Sequence, residues 1–266
     1  MKPGLYTLTE QEYFKLSRAR WSMVKSVLDC PAAYRHAVQH VQSSSKPKDL
    51  GLLVHSMVLE PEKVDDLYYR AEKVDRRTKI GKESWKIQQE TAGERELIEA
   101  SIYDKAMDLS GHLRVVMDAT FGAWRKGRSR VEVAIVGDMY GIPAKCRIDL
   151  ILDGRIWDIK TTRDLRPRAF MGSCVKFGYY GQLATYQRML SQHEPDAEVG
   201  GIIAVQTSGA PIAHVLRFND QAKAFGEEMS SKAWKTLLEC RESSCWPGYD
   251  YDGEIGIPGW CLDDEA

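Results

Sequence analysis

The sequence predicts an α/β fold: a central mixed sheet with an antiparallel meander, flanked by helices, and a helical N-terminal portion. Two observations carry this. The first third has helical spacing, and residues 63–125 are rich in Lys, Glu, Gln, Ala and Leu without β-branched runs, which favours helices. From Val131 to Thr162 apolar and polar residues alternate with the two-residue period of a strand. No long polar linker interrupts the 266 residues, and no repeat of about 20 to 50 residues is present. One domain over residues 1–266 is therefore expected, its helical portion about 1–128 and its sheet-containing core about 129–266.

In chain order, Ser22 to His40 carries Val24, Val27, Leu28, Ala32 and Ala33 at helical spacing, with Pro31 marking a stop or restart. Residues 43–48 read as a loop. Asp49 is the expected N-cap of a helix through Gly51 and His55 to Leu59, ended by Pro61. Gly51 and His55 then share a face, one turn apart. Residues 63–125 read as helices joined by a basic loop containing Arg76, Arg77, Lys79 and Lys82. Gly137-Asp138 and Asp153-Gly154 are hairpin-turn signals that cut the alternating region into three strands. A Pro-containing loop, a helix over 176–192, strands at Ile202 to Gln206 and His214 to Phe218, and a helix from Asp220 to Arg241 complete the reading.

The 37 basic and 38 acidic residues nearly cancel, so a nucleic acid would have to be held by a local basic surface. Six cysteines without a C-x-x-C pair suit reduced thiols in a cytosol better than a disulfide framework. The absence of a long apolar run and the polar N-terminus point to a soluble, cytoplasmic protein without membrane contact.

The chemistry concentrates in the meander. A two-residue turn at Asp153-Gly154 pairs Leu152 with Arg155, Leu150 with Trp157 and Asp149 with Asp158. Lys160, two residues past Asp158, lies on the same face. Two carboxylates and an ammonium converge there. Hard carboxylate oxygens suit Mg²⁺, and an ammonium can orient an attacking water and offset charge on phosphorus. Ile159, between them, can offer its backbone carbonyl to the metal. A surface salt-bridge group is the alternative, but the apolar neighbours Ile148, Leu150, Ile151, Ile156 and Trp157 indicate central strands, where unpaired charge is costly.

The string Cys146-Arg147-Ile148-Asp149, followed by Trp157-Asp158-Ile159-Lys160-Thr161-Thr162, resembles the core of the PD-(D/E)XK nuclease superfamily, with Ile148 where the name-giving proline would stand. Gln182-Leu183-Ala184-Thr185-Tyr186 is similar to the Q-x-x-x-Y element of its RecB-like branch. Gly51-x-x-x-His55 with Leu59-Glu60-Pro61 resembles the histidine helix of RecE-type exonucleases (exonuclease VIII), which are related to the lambda-exonuclease-like group. The resemblance spans Ser22 to Trp246-Pro247. It implies a restriction-endonuclease-like core and Mg²⁺-dependent hydrolysis, with Mn²⁺ able to substitute. His55, Asp149, Asp158 and Ile159 would hold the metal, Lys160 would position the water, and Gln182 and Tyr186 would support substrate or lysine. It further implies 5′ to 3′ digestion of linear duplex DNA, a homo-oligomeric ring and a RecT-type annealing partner.

By the same resemblance Ser22 is placed at a DNA phosphate, although it also fits a simple helix cap. Arg76, Arg77, Lys79, Lys82, Arg147 and Thr161 are further candidates for the DNA backbone. Glu132 is left out of the site, because a Gly137-Asp138 turn would set it opposite Pro143, about 20 Å from Asp149. Cys30, Cys240, Cys245 and Cys261 resemble the layout of iron–sulfur nucleases but lack its C-x-x-C, so no cluster is expected. A DNA endonuclease or Cas4-like nuclease of the same fold, and a non-catalytic DNA-end-binding module, remain the alternatives.

Overall fold

The alternating region forms the middle of a six-stranded sheet in a computed structural model that describes residues 1–40, 46–125, 127–249, 253 and 256–257. The N-terminal portion consists of β1 (Gly4–Thr7), α1 (Glu10–Lys15), α2 (Trp21–Val24) leading into a 3-10 turn (Lys25–Leu28), α3 (Pro31–Gln39) and α4 (Lys46–Leu59). A 3-10 turn (Pro61–Lys63) leads into α5 (Val64–Leu67), followed by β2 (Tyr68–Ala71), α6 (Lys79–Ala92), β3 (Glu96–Glu99) and α7 (Ala100–Phe121). The meander is β4 (Ser129–Met139), β5 (Ile142–Leu152) and β6 (Arg155–Thr162). After it come α8 (Pro167–Lys176), α9 (Tyr179–Leu190), β7 (Glu198–Gln206), β8 (Ala213–Arg217) and α10 (Asp220–Ser243).

The sheet order is β1-β4-β5-β6-β7-β8. Every neighbouring pair is antiparallel except β6 and β7, which α8 and α9 connect in parallel. One core joins a face of the sheet to α2, α8, α9 and α10 through Trp21, Phe170, Leu183 and Trp234. The other joins the opposite face to α4 and α7 through Leu53, Val58, Leu109 and Leu113.

Four local expectations are corrected. The first hairpin turns at Tyr140-Gly141, with φ of 54° and 83°, and not at Gly137-Asp138. Two consecutive positive φ values are what a two-residue hairpin loop requires, and the Asp138 carboxylate accepts a 2.7 Å bond from the Gly141 N–H. Gly137 stays in β4 beneath Gln192: a Cβ there would lie 2.9 Å from Gln192 Oε1. Helix α4 starts at Lys46, so Asp49 is inside it and is not its cap; the remainder of the expected loop, 43–45, lies outside the described residues. The span 63–125 contains the parallel pair β2–β3, whose strands hold each other across α6. Pro167 opens α8 as a first-turn residue, the position where a missing N–H costs nothing.

The meander twists sharply at one place. Cys146 and Ile148 pack into the α8–α10 core, whereas Leu150 and Leu152 pack into the α4–α7 core; on β4, Val133 and Ile135 likewise face the first core and Val131 the second. Strict alternation would keep each set on one face. Both strands change face between these residues, at Glu132 and Asp149. Glu132 there has φ 51°, in the left-handed region.

Candidate active site

The register puts Leu152 opposite Arg155 and Leu150 opposite Trp157, and the β5–β6 pairing ends there. The Ile159 N–H, without a strand partner on that side, donates to Asp149 Oδ2 at 2.7 Å. The His55 ring reaches in from α4 beside the Ile159 backbone, with Nδ1 3.5 Å from Asp149 Oδ2. Gly51 allows this approach: a Cβ on it would stand 3.3 Å from Thr161 Oγ1. Gly51 and His55 thus share the α4 face that meets β6.

From the opposite face α9 supplies Gln182, whose Nε2 donates to Asp158 Oδ1 at 2.7 Å and to the Tyr186 hydroxyl at 3.0 Å. The one-turn spacing lets a single amide use both hydrogens. Gln182 and Tyr186 therefore fix Asp158, and neither is hydrogen-bonded to Lys160. The lysine forms an ion pair with Asp158 Oδ2 and lies 4.9 Å from the centre of the Tyr179 ring. That oxygen is buried and has no partner in hydrogen-bond geometry.

The electrostatics follow from burial. It pushes Asp158 up to about 6, against the pull of the Lys160 charge and with help from Asp149. It also raises Asp149 and Glu132, whose closeness adds to the shift of Glu132. Burial, reinforced by the Lys160 charge, lowers the His55 imidazole to about 4, so the ring is neutral at pH 7 and has a lone pair to give. For Lys160 burial opposes the charge, but Asp158 and Asp149 outweigh it and the ammonium is retained. Crowded buried carboxylates and a neutral imidazole form a donor set that suits a divalent cation.

Sequence reasoning left Glu132 out, and the structure corrects this. With the turn at Tyr140-Gly141, Val131 pairs with Leu150 and Val133 with Ile148, so Glu132 falls opposite Asp149. Ligand atoms of His55, Glu132 and Asp149 lie within 4.8 Å of one another. Glu132 also occupies Arg147, its Oε2 2.8 Å from Arg147 Nε, and the guanidinium sits over Tyr13. Arg147 is thus tied inside the site rather than free at the surface, and Thr161 packs against α4. Lys25, also unforeseen, donates to the Phe177 carbonyl at 2.8 Å and is close enough to Lys160 for the two charges to repel.

Among the described residues, no hydrogen bond or ion pair joins the remaining candidates to the cluster. Ser22 is exposed within α2, one residue past Trp21, and Arg20 rather than Ser22 is the N-cap. Arg76 stacks on Trp85 and Arg77 pairs with Asp75. Lys79 and Lys82 are exposed on the first turn of α6, which Thr78 caps, and do not belong to a loop. Cys30, Cys146, Cys174 and Cys240 are buried free thiols and Cys245 is an exposed one; Cys261 lies outside the described residues.

A mixed sheet whose meander opens to present Asp149, Asp158 and Lys160 between flanking helices defines a PDDEXK-like protein. The profile of the PDDEXK-like domain of unknown function, DUF3799, matches residues 21–255, and the chain belongs to that family. Among solved structures, the chain is similar to a "putative exonuclease" from Eubacterium rectale, with 16% identity, a TM-score of 0.60, and coverage of 98% of this chain and 100% of the other. At that identity the likeness is one of fold. A second, SSO0001, is 13% identical over 82% of this chain and 90% of its own, with a TM-score of 0.27, too low to support an argument. No curated protein matches the chain.

Proposed function

We propose that the chain is a divalent-metal-dependent exodeoxyribonuclease that digests one strand of linear duplex DNA, 5′ to 3′, leaving 3′ single-stranded tails. The observation that carries this is the convergence of His55, Asp149, Asp158 and Lys160 where β5 and β6 part, with Gln182 clamping Asp158 from behind. His55, Asp149, Asp158 and the Ile159 carbonyl would hold Mg²⁺, or Mn²⁺ in its place. The cation, when bound, supplies charge stabilisation at a phosphate oxygen.

The protein's own groups do the rest. Lys160, fixed by Asp158 and Tyr179, orients the attacking water and offsets negative charge that builds on phosphorus. Gln182 and Tyr186 hold Asp158 in position. Ser22 and Lys25 supply groups for the DNA phosphates beside the site, and Arg76, Arg77, Lys79 and Lys82 supply a further basic surface. A cytoplasmic homo-oligomeric ring working with a RecT-type annealing protein completes the proposal, on the resemblance to RecE-type exonucleases. Among the described residues no helix is long and apolar enough to cross a membrane.

The test is digestion of a linear duplex labelled at its 5′ or 3′ end, beside a covalently closed circle, with and without Mg²⁺. Metal-dependent loss of the 5′ label from linear DNA alone is expected. Cutting of the circle would replace the exonuclease with an endonuclease, and tight end binding without any product would leave a binding module.

A further inference from the structure

We infer that Phe177 is a stacking platform for an unpaired nucleobase of the DNA strand that enters the site. The inference rests on the nuclease reading above and adds to it how the strand end is held: a base freed from pairing is bound beside Lys160, in addition to the phosphates.

Phe177 ends α8 as its C-cap, and its ring is exposed, whereas Phe170 and Cys174 of the same helix are buried. The backbone fixes this presentation. The Phe177 N–H donates to the Ser173 carbonyl at 2.9 Å, and the Phe177 carbonyl accepts from Lys25 Nζ at 2.8 Å. Gly178 follows at φ 71°, and the buried Trp21 Nε1 donates to its carbonyl at 2.8 Å. Tyr179 links the exposed ring to the chemistry: its ring centre lies 5.8 Å from that of Phe177, in a stacked arrangement, and 4.9 Å from Lys160 Nζ. Phe177 is thus within about three nucleotides of Lys160, at roughly 3.4 Å per stacked nucleotide.

The surrounding charge indicates what covers the ring. The Lys25 and Lys176 ammonium groups lie 6.0 and 5.9 Å from its centre, and among the described residues neither is ion-paired to a carboxylate. An apolar protein segment would use the ring and leave these cations unmatched. A nucleotide matches both, its flat base on the ring and its phosphate towards the ammonium groups, which is how proteins hold single-stranded nucleic acid. A base inside the duplex has its faces covered by its neighbours, so the one that stacks here has left the helix.

The experiment is equilibrium binding of the full-length chain, without divalent metal so that no strand is cut, to labelled duplexes with a short unpaired tail at the 5′ or the 3′ end. Each duplex is compared with a copy whose tail is abasic, for wild type, Phe177→Ala, Phe177→Leu and Phe177→Trp, with folding checked by circular dichroism and thermal melting. Wild type should bind the base-bearing tail of one polarity about tenfold or more tighter than its abasic copy. That preference should vanish in Phe177→Ala and Phe177→Leu and return in Phe177→Trp. A merely structural role would weaken both tails alike. The assignment is overturned by a preference that survives in folded Phe177→Ala or Phe177→Leu, by failure of both to fold, or by a wild type that binds both tails equally, which would leave the ring to a protein contact. A wild type that binds neither these duplexes nor a blunt one defeats the nuclease reading as well, an outcome distinct from binding without preference.

Discussion

Asp149 Oδ2 accepts a 2.7 Å hydrogen bond from the Ile159 N–H, taking the place of a ladder partner where β5 and β6 separate. A carboxylate thereby enters the sheet edge-on and meets groups from both faces: His55 from α4 and, through Asp158, Gln182 from α9. The opening between the strands, rather than a pocket on one face, places the two sets of groups together.

Lys160→Ala should leave metal and DNA binding near wild type and reduce cleavage by about 10²- to 10⁴-fold, the usual size of a positioned proton-transfer group. Single-turnover cleavage of a labelled duplex, beside filter binding of the same duplex, measures both. Full activity in this variant would remove Lys160 from the mechanism.

Gln182→Ala should weaken metal binding by about 10- to 100-fold, because it frees the Asp158 side chain from the group that orients it. Tyr186→Phe leaves the Gln182–Asp158 bond in place and should cost less. Titration with Mg²⁺ orders the two. A larger loss in Tyr186→Phe would mean that the tyrosine acts on something other than Gln182.

Gly51→Val should impair cleavage far more than it lowers the melting temperature. Even a Cβ at this position would press on Thr161 Oγ1 at 3.3 Å, and the branched side chain must lift α4 and carry His55 away from Asp149. Gly51→Ala adds only that single close contact and should retain most activity. Equal activity in wild type and Gly51→Val would show that the α4–β6 approach does not position His55.

Lys145 gives a pH-dependent contribution to stability. Its ammonium is enclosed beneath Tyr13 and donates to the Tyr13 and Leu16 carbonyls at 2.6 and 2.7 Å. Burial, with the Arg20 charge, lowers it from 10.5 to about 8. Between those values the unfolded chain binds the additional proton, so the contribution of this residue rises with pH across the window and is flat below it. The melting temperature of wild type minus that of Lys145→Met should therefore increase from pH 8 towards pH 10. A difference that shrinks over that range contradicts the assignment.

The sequence by itself determined the elements whose signals are local. Asp153-Gly154 is a two-residue turn, and counting outward from it over a few residues brings Asp149, Asp158 and Lys160 together. The i, i+4 spacing likewise puts Gln182 beside Tyr186 and Gly51 on the face of His55. Such inferences hold because strand and helix periods are fixed by the backbone and errors do not accumulate over one or two turns. Tertiary structure decided what depends on distant packing. Gly137 reads as a turn residue but stays in the strand to admit Gln192, and this alone moves Glu132 from Pro143 to Asp149. Tyr179 and Lys25 reach Lys160 only after α9 and the turn following α2 dock on the same sheet face. The pair β2–β3 exists because two short segments on either side of α6 satisfy each other's hydrogen bonds, a partnership that neither segment encodes alone.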